Sequence, residues 1–192
     1  FGGNVTYEFR PSRLWKHTIT PFQLTFNTLM STTERFDSIV AGNPSLALSL
    51  GDQFIPSMKY TFTYDNSRLK QHNQLWWETS ITSAGNVTSL LYAALGKGFH
   101  DKNKELLGTP FAQFLKLTSE VRRLYKVGEK QHIAMRFMGG ILWSYGNQTI
   151  APYSEQFYIG GANSLRAFTV RSIGPGTYNP AVNNKYSYLD QT

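Results

Sequence analysis

Few residues in this chain are placed to do covalent chemistry. The four histidines, His17, His72, His100 and His132, are far apart and none stands in a metal-ligand spacing such as HExxH. A solvated or interfacial histidine is the reading that each supports. There is no GxSxG elbow, no kinase-type catalytic set and no P-loop. The GGANS stretch (160–164) lacks the strand–GxGxxG–helix context of a dinucleotide site. Cysteine is absent, which excludes disulfide scaffolds and thiolate metal sites. The chain is therefore expected not to be an enzyme and to use no metal and no cofactor. What remains is charge in two settings. Lys59, Glu78, Lys116, Glu120, Arg122 and Arg136 fall on the polar side of alternating segments. Arg166 sits between small and aromatic residues in EQFYIGGANSLRAFTVRSIGPG (155–176), which holds four glycines and one acid.

The segments that must position these charges alternate with period two, the signature of strands with two unlike faces. In 114–125, Leu115, Leu117, Val121 and Tyr125 oppose Lys116, Thr118, Glu120 and Arg122. In 132–145, Ile133, Met135, Phe137, Ile141, Trp143 and Tyr145 oppose His132, Ala134, Arg136, Gly140 and Ser144. The intervening KVGEK makes this the clearest hairpin. Segments 54–64, 73–82, 17–28 and 4–10 behave alike, so about six strands are expected, several near the ~9–11 residues of a tilted membrane strand. Connections at 11–17, 65–73 and 126–130 are short, and those at 29–53, 84–111 and 146–192 are long. Helical turns are expected at 31–40, capped by Ser31 or Thr32, and at 85–95.

Composition agrees with a particular setting. Aromatic residues make up 15% of the 192 residues and charged residues only 16%, against roughly a quarter charged in soluble domains. No run of ~18 apolar residues exists, so a transmembrane helix is excluded. The expected fold is all-β: an antiparallel transmembrane β-barrel with long extracellular loops, whose lipid-facing and lumen-facing residues alternate. Six strands do not close such a barrel, since eight is about the minimum, so further strands are expected outside this chain. Trp15, Trp76, Trp77, Trp143, Tyr64, Tyr125 and Tyr145 lie near strand ends, where aromatic girdles form; Trp76 points opposite to Trp77 and is expected inside the wall. The net charge of +7 raises nucleic acid or anionic lipid as partners, but no Lys/Arg run exceeds two, and no nucleic-acid partner is expected. A soluble β-sandwich is the competing fold. The inward charges suit either a lumen that docks a loop or passes a polypeptide, or a solvated interior with no specific ligand.

The segment from Gly146 onward stops alternating, yet Phe157, Tyr158, Ile159, Leu165, Phe168, Val170 and Ile173 want burial. A long loop with such anchors needs a surface, and in a wide barrel that surface is the lumen wall. QFYIGGANSLRAFTVRSIGPG resembles the lumen-folded sixth extracellular loop of the BamA/TamA superfamily (bacterial surface antigen type). That pattern is an aromatic segment, GG, a small polar pair, V-R-G-F/Y, and an R/S-x-x-G-P continuation. Phe157, Gly160, Gly161, Ser164, Leu165, Arg166, Phe168, Gly174 and Pro175 match it in order and spacing. Leu165 stands where valine is usual and Ala167 where glycine is usual. MRFMGGILWSYGN and APYSEQFY are similar to the strand and lead-in before that loop. NPSLALSLGDQFIPSMKYTFTYDN and AGNVTSLL are similar to the TamA-like lipoprotein branch of Bacteroidota.

The resemblance implies a partial chain, covering about strands six to eleven of a sixteen-stranded barrel plus the sixth loop. It implies barrel strands over 1–146, with extracellular loops at 29–53 and 84–111, and a lumen-folded loop over 147–192 carrying LRAF. It implies a latch formed by Gly160, Gly161, Leu165, Arg166, Ala167, Phe168, Gly174 and Pro175. In it Arg166 pairs with acids on strands beyond Thr192, with Glu78 and Glu120 as weaker candidates. POTRA repeats are expected before Phe1. The implied activity is assembly or translocation of client proteins at the bacterial outer membrane, with outer-membrane lipids and accessory lipoproteins or an inner-membrane protein as further partners. A passive outer-membrane channel or surface-exposed binding barrel is the alternative.

Overall fold

Alternation of aromatic or β-branched residues with short polar ones builds long strands wherever it persists. In the computed structural model of the chain, residues 2–28, 31–41, 52–67, 69, 73–96, 98–99, 104–106, 108–147 and 151–171 are described. Six long strands form one sheet: β1 (Gly2–Phe9), β2 (Trp15–Asn27), β3 (Gln53–Asp65), β4 (Asn73–Ala84), β7 (Phe114–Lys126) and β8 (His132–Ser144). Their order is β1-β2-β3-β4-β7-β8, so every long strand neighbours the next in sequence. The pairs with resolved register, β1–β2, β3–β4, β4–β7 and β7–β8, are antiparallel. Among the described residues the sheet is open, with β1 and β8 at its edges. Between β4 and β7 stand helix α2 (Asn86–Ala94) and a small hairpin, β5 (Glu105–Leu106) with β6 (Thr109–Pro110). Helix α1 (Glu34–Ala41) lies between β2 and β3.

The register sorts side chains as the alternation requires. Trp77 faces Val121 and Val121 faces Phe137; Ile81 faces Leu117 and Leu117 faces Ile141. One face is thus a continuous apolar field, and Phe22, Tyr60, Ile81, Phe137, Ile141 and Trp143 on it are exposed. An apolar field of this extent needs a cover other than water. The opposite face carries Thr63 beside Glu78 beside Glu120, and Lys59 beside Thr82 beside Lys116.

β2 contains Pro21, which removes a ladder donor and is confined to edges and bulges. The register shifts here: Tyr7 faces Ile19, but Val5 faces Phe22. Thr20 and Pro21 therefore stand together opposite Thr6, a bulge, and the Thr6 and Thr20 hydroxyls lie 3.0 Å apart. The extra residue keeps His17, Ile19, Phe22, Leu24 and Phe26 on one face although the spacing changes parity after Ile19.

Short connections (10–14, 66–72 and 127–131) lie at one end of the sheet and long ones at the other, as the sequence reading has it. Two expectations are corrected. The first short turn ends at Leu14, so His17 lies within β2; its ring stacks on Phe9 at 4.8 Å and its Nδ1 is 2.7 Å from the Tyr60 hydroxyl. The cap of α1 is Thr33, whose Oγ1 accepts from Phe36 N at 3.4 Å, rather than Ser31 or Thr32. His72, His100 and parts of the long connections fall outside the described residues.

The chain divides into two compact units: Phe1–Phe26 with Phe54–Ala151, and Asn27–Gln53 with Pro152–Thr192. The first holds the sheet. Its buried cluster, Ile55, Ala84, Ala112 and Phe114 with Leu142 packed against it, lies at the long-connection end.

Candidate functional site

The loop that carries Arg166 is shaped by two glycines. Gly160 and Gly161 have φ of +103° and +87°, the left-handed half of backbone space that only glycine enters freely. A Cβ on Gly160 would overlap the Thr169 carbonyl oxygen and sit 3.0 Å from its carbon. The chain thus runs out along Ile159–Gly161 and back along Phe168–Arg171. The limbs are tied by Gly161 N donating to Phe168 O and Arg171 N donating to Ile159 O, both at 2.9 Å. Two tight turns make the tip: Ser164 N donates to Gly161 O at 3.1 Å, and Phe168 N to Leu165 O at 3.1 Å. Leu165, Arg166, Ala167 and Phe168 occupy the second turn and all are exposed.

Among the described residues Arg166 is held only locally: its Nε donates to the Ala162 carbonyl in the same tip at 3.2 Å. Ala167 keeps a negative φ, since Arg171 is the one non-glycine residue with positive φ among the described residues. The departure from glycine at 167 therefore costs nothing here. Gly174 and Pro175 fall outside the described residues.

The six charges on the strands all lie on the polar face, and the structure brings Glu120, Arg122 and Arg136 together directly. Glu120 Oε1 accepts from Arg122 Nε at 2.5 Å and from Arg136 Nε at 2.6 Å. The guanidinium of Arg122 lies 4.5 Å from the Trp76 ring centroid, so Trp76 does point opposite to Trp77, as its parity requires. Glu78 is the register partner of Glu120, with Thr63 Oγ1 donating to it at 3.3 Å. Two acids side by side are unfavourable unless cations flank them, and Arg122 and Arg136 do so at Glu120. A cavity of about 300 Å³ beside this cluster is lined by Gln74, Trp76, Arg122 and Arg136 among others. Lys59 and Lys116 lie nearer the long-connection end, on either side of Thr82.

On the apolar face, Trp15 packs against Phe62 and Tyr64, with ring centroids 5.1 and 4.7 Å apart, and Phe62 against Trp77 at 5.6 Å. This aromatic band lies at the short-turn end. Trp143 and Tyr145 meet edge to face at the other end, 5.8 Å apart.

One network had no signal in the alternation. Gln113 is 1% exposed; its Oε1 accepts from Ser89 Oγ at 2.9 Å and from Asn147 N at 3.2 Å. Asn147 in turn accepts from Lys104 N at 2.6 Å and donates to the Lys104 and Phe111 carbonyls at 2.7 and 2.9 Å. Tyr145 OH donates to Asn86 Oδ1 at 2.9 Å. Gly146, at φ +67°, lets Asn147 turn in over Gln113, where a Cβ would strike the amide. These amides fasten α2 and the β5–β6 hairpin to the rim of the sheet. Asn and Gln in long loops look like solvated residues in sequence, so only the placement of their partners reveals them.

Residues 1–188 match the family model described as the Omp85 superfamily domain. No curated protein and no solved structure matches the chain.

Proposed function

The chain belongs to the Omp85 superfamily, whose members are outer-membrane proteins that insert or translocate proteins, and from that premise we propose that it forms part of a transmembrane barrel of sixteen strands that assembles or exports client outer-membrane proteins. Strand length supports the barrel. β2, β3, β7 and β8 have 13 residues each, about 43 Å at ~3.3 Å per residue. Tilted by ~45°, such a strand spans the ~30 Å hydrocarbon core. The exposed apolar face then meets lipid, the aromatic bands sit at the two interfaces, and the polar face lines the lumen. Edge strands inside lipid would leave backbone groups unpaired, so β1 and β8 pair with further strands. The long connections face outward from the cell, and the one between β4 and β7 is fastened at the rim by Gln113 and Asn147.

The observation that carries the functional reading is the loop: a glycine-hinged hairpin that presents Leu165-Arg166-Ala167-Phe168 at its tip. Arg166, tied among the described residues only to a carbonyl, is available to make a bidentate pair with a carboxylate of the lumen wall. The partner we assign is an acid on a strand after the loop. Glu120 is already shared by Arg122 and Arg136, and so is the poorer choice. The loop thereby latches to the wall while clients enter at the seam by edge pairing of strands. We assign the chain to the TamA-like lipoprotein branch of Bacteroidota. Its partners are client outer-membrane proteins, membrane lipid and accessory lipoproteins or an inner-membrane protein.

The test is Arg166→Ala in cells. Client outer-membrane proteins should fall in amount and the loop should become protease-sensitive. Normal client levels together with normal protease resistance would remove the latch. A passive channel, which the charged polar face would also serve, predicts instead a large, steady conductance in planar bilayers that ignores the loop variant.

A further inference from the structure

We propose that Arg171 is the positioning residue of the loop: it clamps the two limbs together, and so holds Arg166 at the tip. This rests on the latch reading of Arg166 and adds a residue to it. Arg171 is 6% exposed, whereas the tip around Arg166 is open. Its guanidinium carbon lies 3.7 Å from the Tyr153 ring centroid and 5.2 Å from that of Tyr158. Its Nη2 donates to the Tyr153 carbonyl at 2.7 Å and its Nη1 to Gln156 Oε1 at 3.4 Å. Its backbone N–H closes the limb pair at Ile159. One residue of the returning limb thus grips Ile159 of the outgoing limb and Tyr153, Gln156 and Tyr158 of the segment that leads into it.

The backbone corroborates this. Arg171 has φ +62°, a conformation disfavoured in any residue with a Cβ. A non-glycine residue is held there only when its surroundings over-determine it. Here the surroundings are a π-stacked cation, two side-chain hydrogen bonds and one backbone bond. Among the described residues its partners are carbonyls, an amide and rings, so the clamp closes without a carboxylate. It also needs the planar guanidinium: a lysine ammonium neither stacks on Tyr153 nor reaches two acceptors in fork geometry. The two arginines of the loop therefore divide the work, Arg171 shaping the hairpin and Arg166 meeting the wall.

The experiment compares Arg171→Ala, Arg171→Lys, Tyr153→Ala and Tyr153→Phe in the whole protein in native outer membranes. Heat-modifiable electrophoretic mobility reports the folded barrel, and proteinase K cleavage within 153–171 reports the loop. Arg171→Ala should raise cleavage at least ~30-fold, the factor that a desolvated cation–π pair alone gives, with mobility unchanged. Arg171→Lys should not restore resistance. Tyr153→Phe, which keeps the ring, should match the wild type, while Tyr153→Ala should behave like Arg171→Ala, and the double variant no worse. Client assembly in Arg171→Ala should fall to the level of Arg166→Ala, without addition in the double variant. If Arg171→Ala abolishes folding, Tyr153→Ala carries the same test. Cleavage within twofold of wild type in Arg171→Ala or Tyr153→Ala, or full rescue by lysine, overturns the clamp. Normal client assembly in Arg166→Ala overturns the latch and with it the positioning role, whereas the cleavage pattern alone decides whether the clamp exists.

Discussion

Gly160→Ala is the sharpest perturbation of the loop. Two costs add. An L-residue at φ +103° is strained by about 1–2 kcal/mol. The new Cβ also collides with the Thr169 carbonyl, backbone rather than a movable side-chain end, so the limbs must part. Parting them stretches the Gly161–Phe168 and Arg171–Ile159 hydrogen bonds, both 2.9 Å, each worth about 0.5–1.5 kcal/mol. The sum is about 2–5 kcal/mol, at least ~30-fold in the opening equilibrium. Amide hydrogen exchange reads this directly, because the donors are the N–H groups of Gly161 and Arg171; their protection should fall by ~30-fold or more. Gly161→Ala is the internal control. Its Cβ meets only the Val170 Cγ2, at 2.9 Å, and a side-chain methyl can rotate away. Its loss of protection should be several-fold smaller. Equal effects for the two variants, or none for Gly160→Ala, would refute the assignment of hairpin closure to Gly160.

Two further outcomes test the sheet and its rim. Asn147→Ala leaves the buried Lys104 N–H and carbonyl and the Phe111 carbonyl without their amide partner, a loss of about 2–4 kcal/mol; proteolysis between α2 and β7 should rise steeply, while the β7–β8 hairpin exchanges as before. Deleting Pro21 removes the bulge but leaves Phe22, Leu24 and Phe26 on the apolar face, so the protein should still insert; deleting Gln23 breaks the parity of that run and should abolish heat-modifiable folding.

Much of the architecture was legible because it depends on neighbours in the chain. A period-two pattern such as Leu115, Leu117, Val121 and Tyr125 forces a strand with an apolar face whatever it pairs with. Connection lengths then fix which ends are short-turned. The bulge was half legible: Pro21 marks the place, but only the pairing of Val5 with Phe22 shows that one extra residue is absorbed there. His17 looked like a turn residue because the chain is polar around it; stacking on Phe9 and the bond to Tyr60 draw it into β2.

The candidate site divides along the same line. Composition and order alone determined a loop with paired glycines, an arginine and an aromatic, since those residue types encode local backbone freedom and charge. They also put Lys59, Glu78, Lys116, Glu120, Arg122 and Arg136 on one face, because parity along a strand is a local property. Register between strands decided which further charge meets the neighbouring pair Glu120 and Arg122 on β7, and it brought Arg136 of β8 there. Which arginine organises the loop depended on how the chain returns on itself. Arg166 and Arg171 have identical chemistry five positions apart, and only the fold back onto Tyr153 and Tyr158 buries one and leaves the other at the tip.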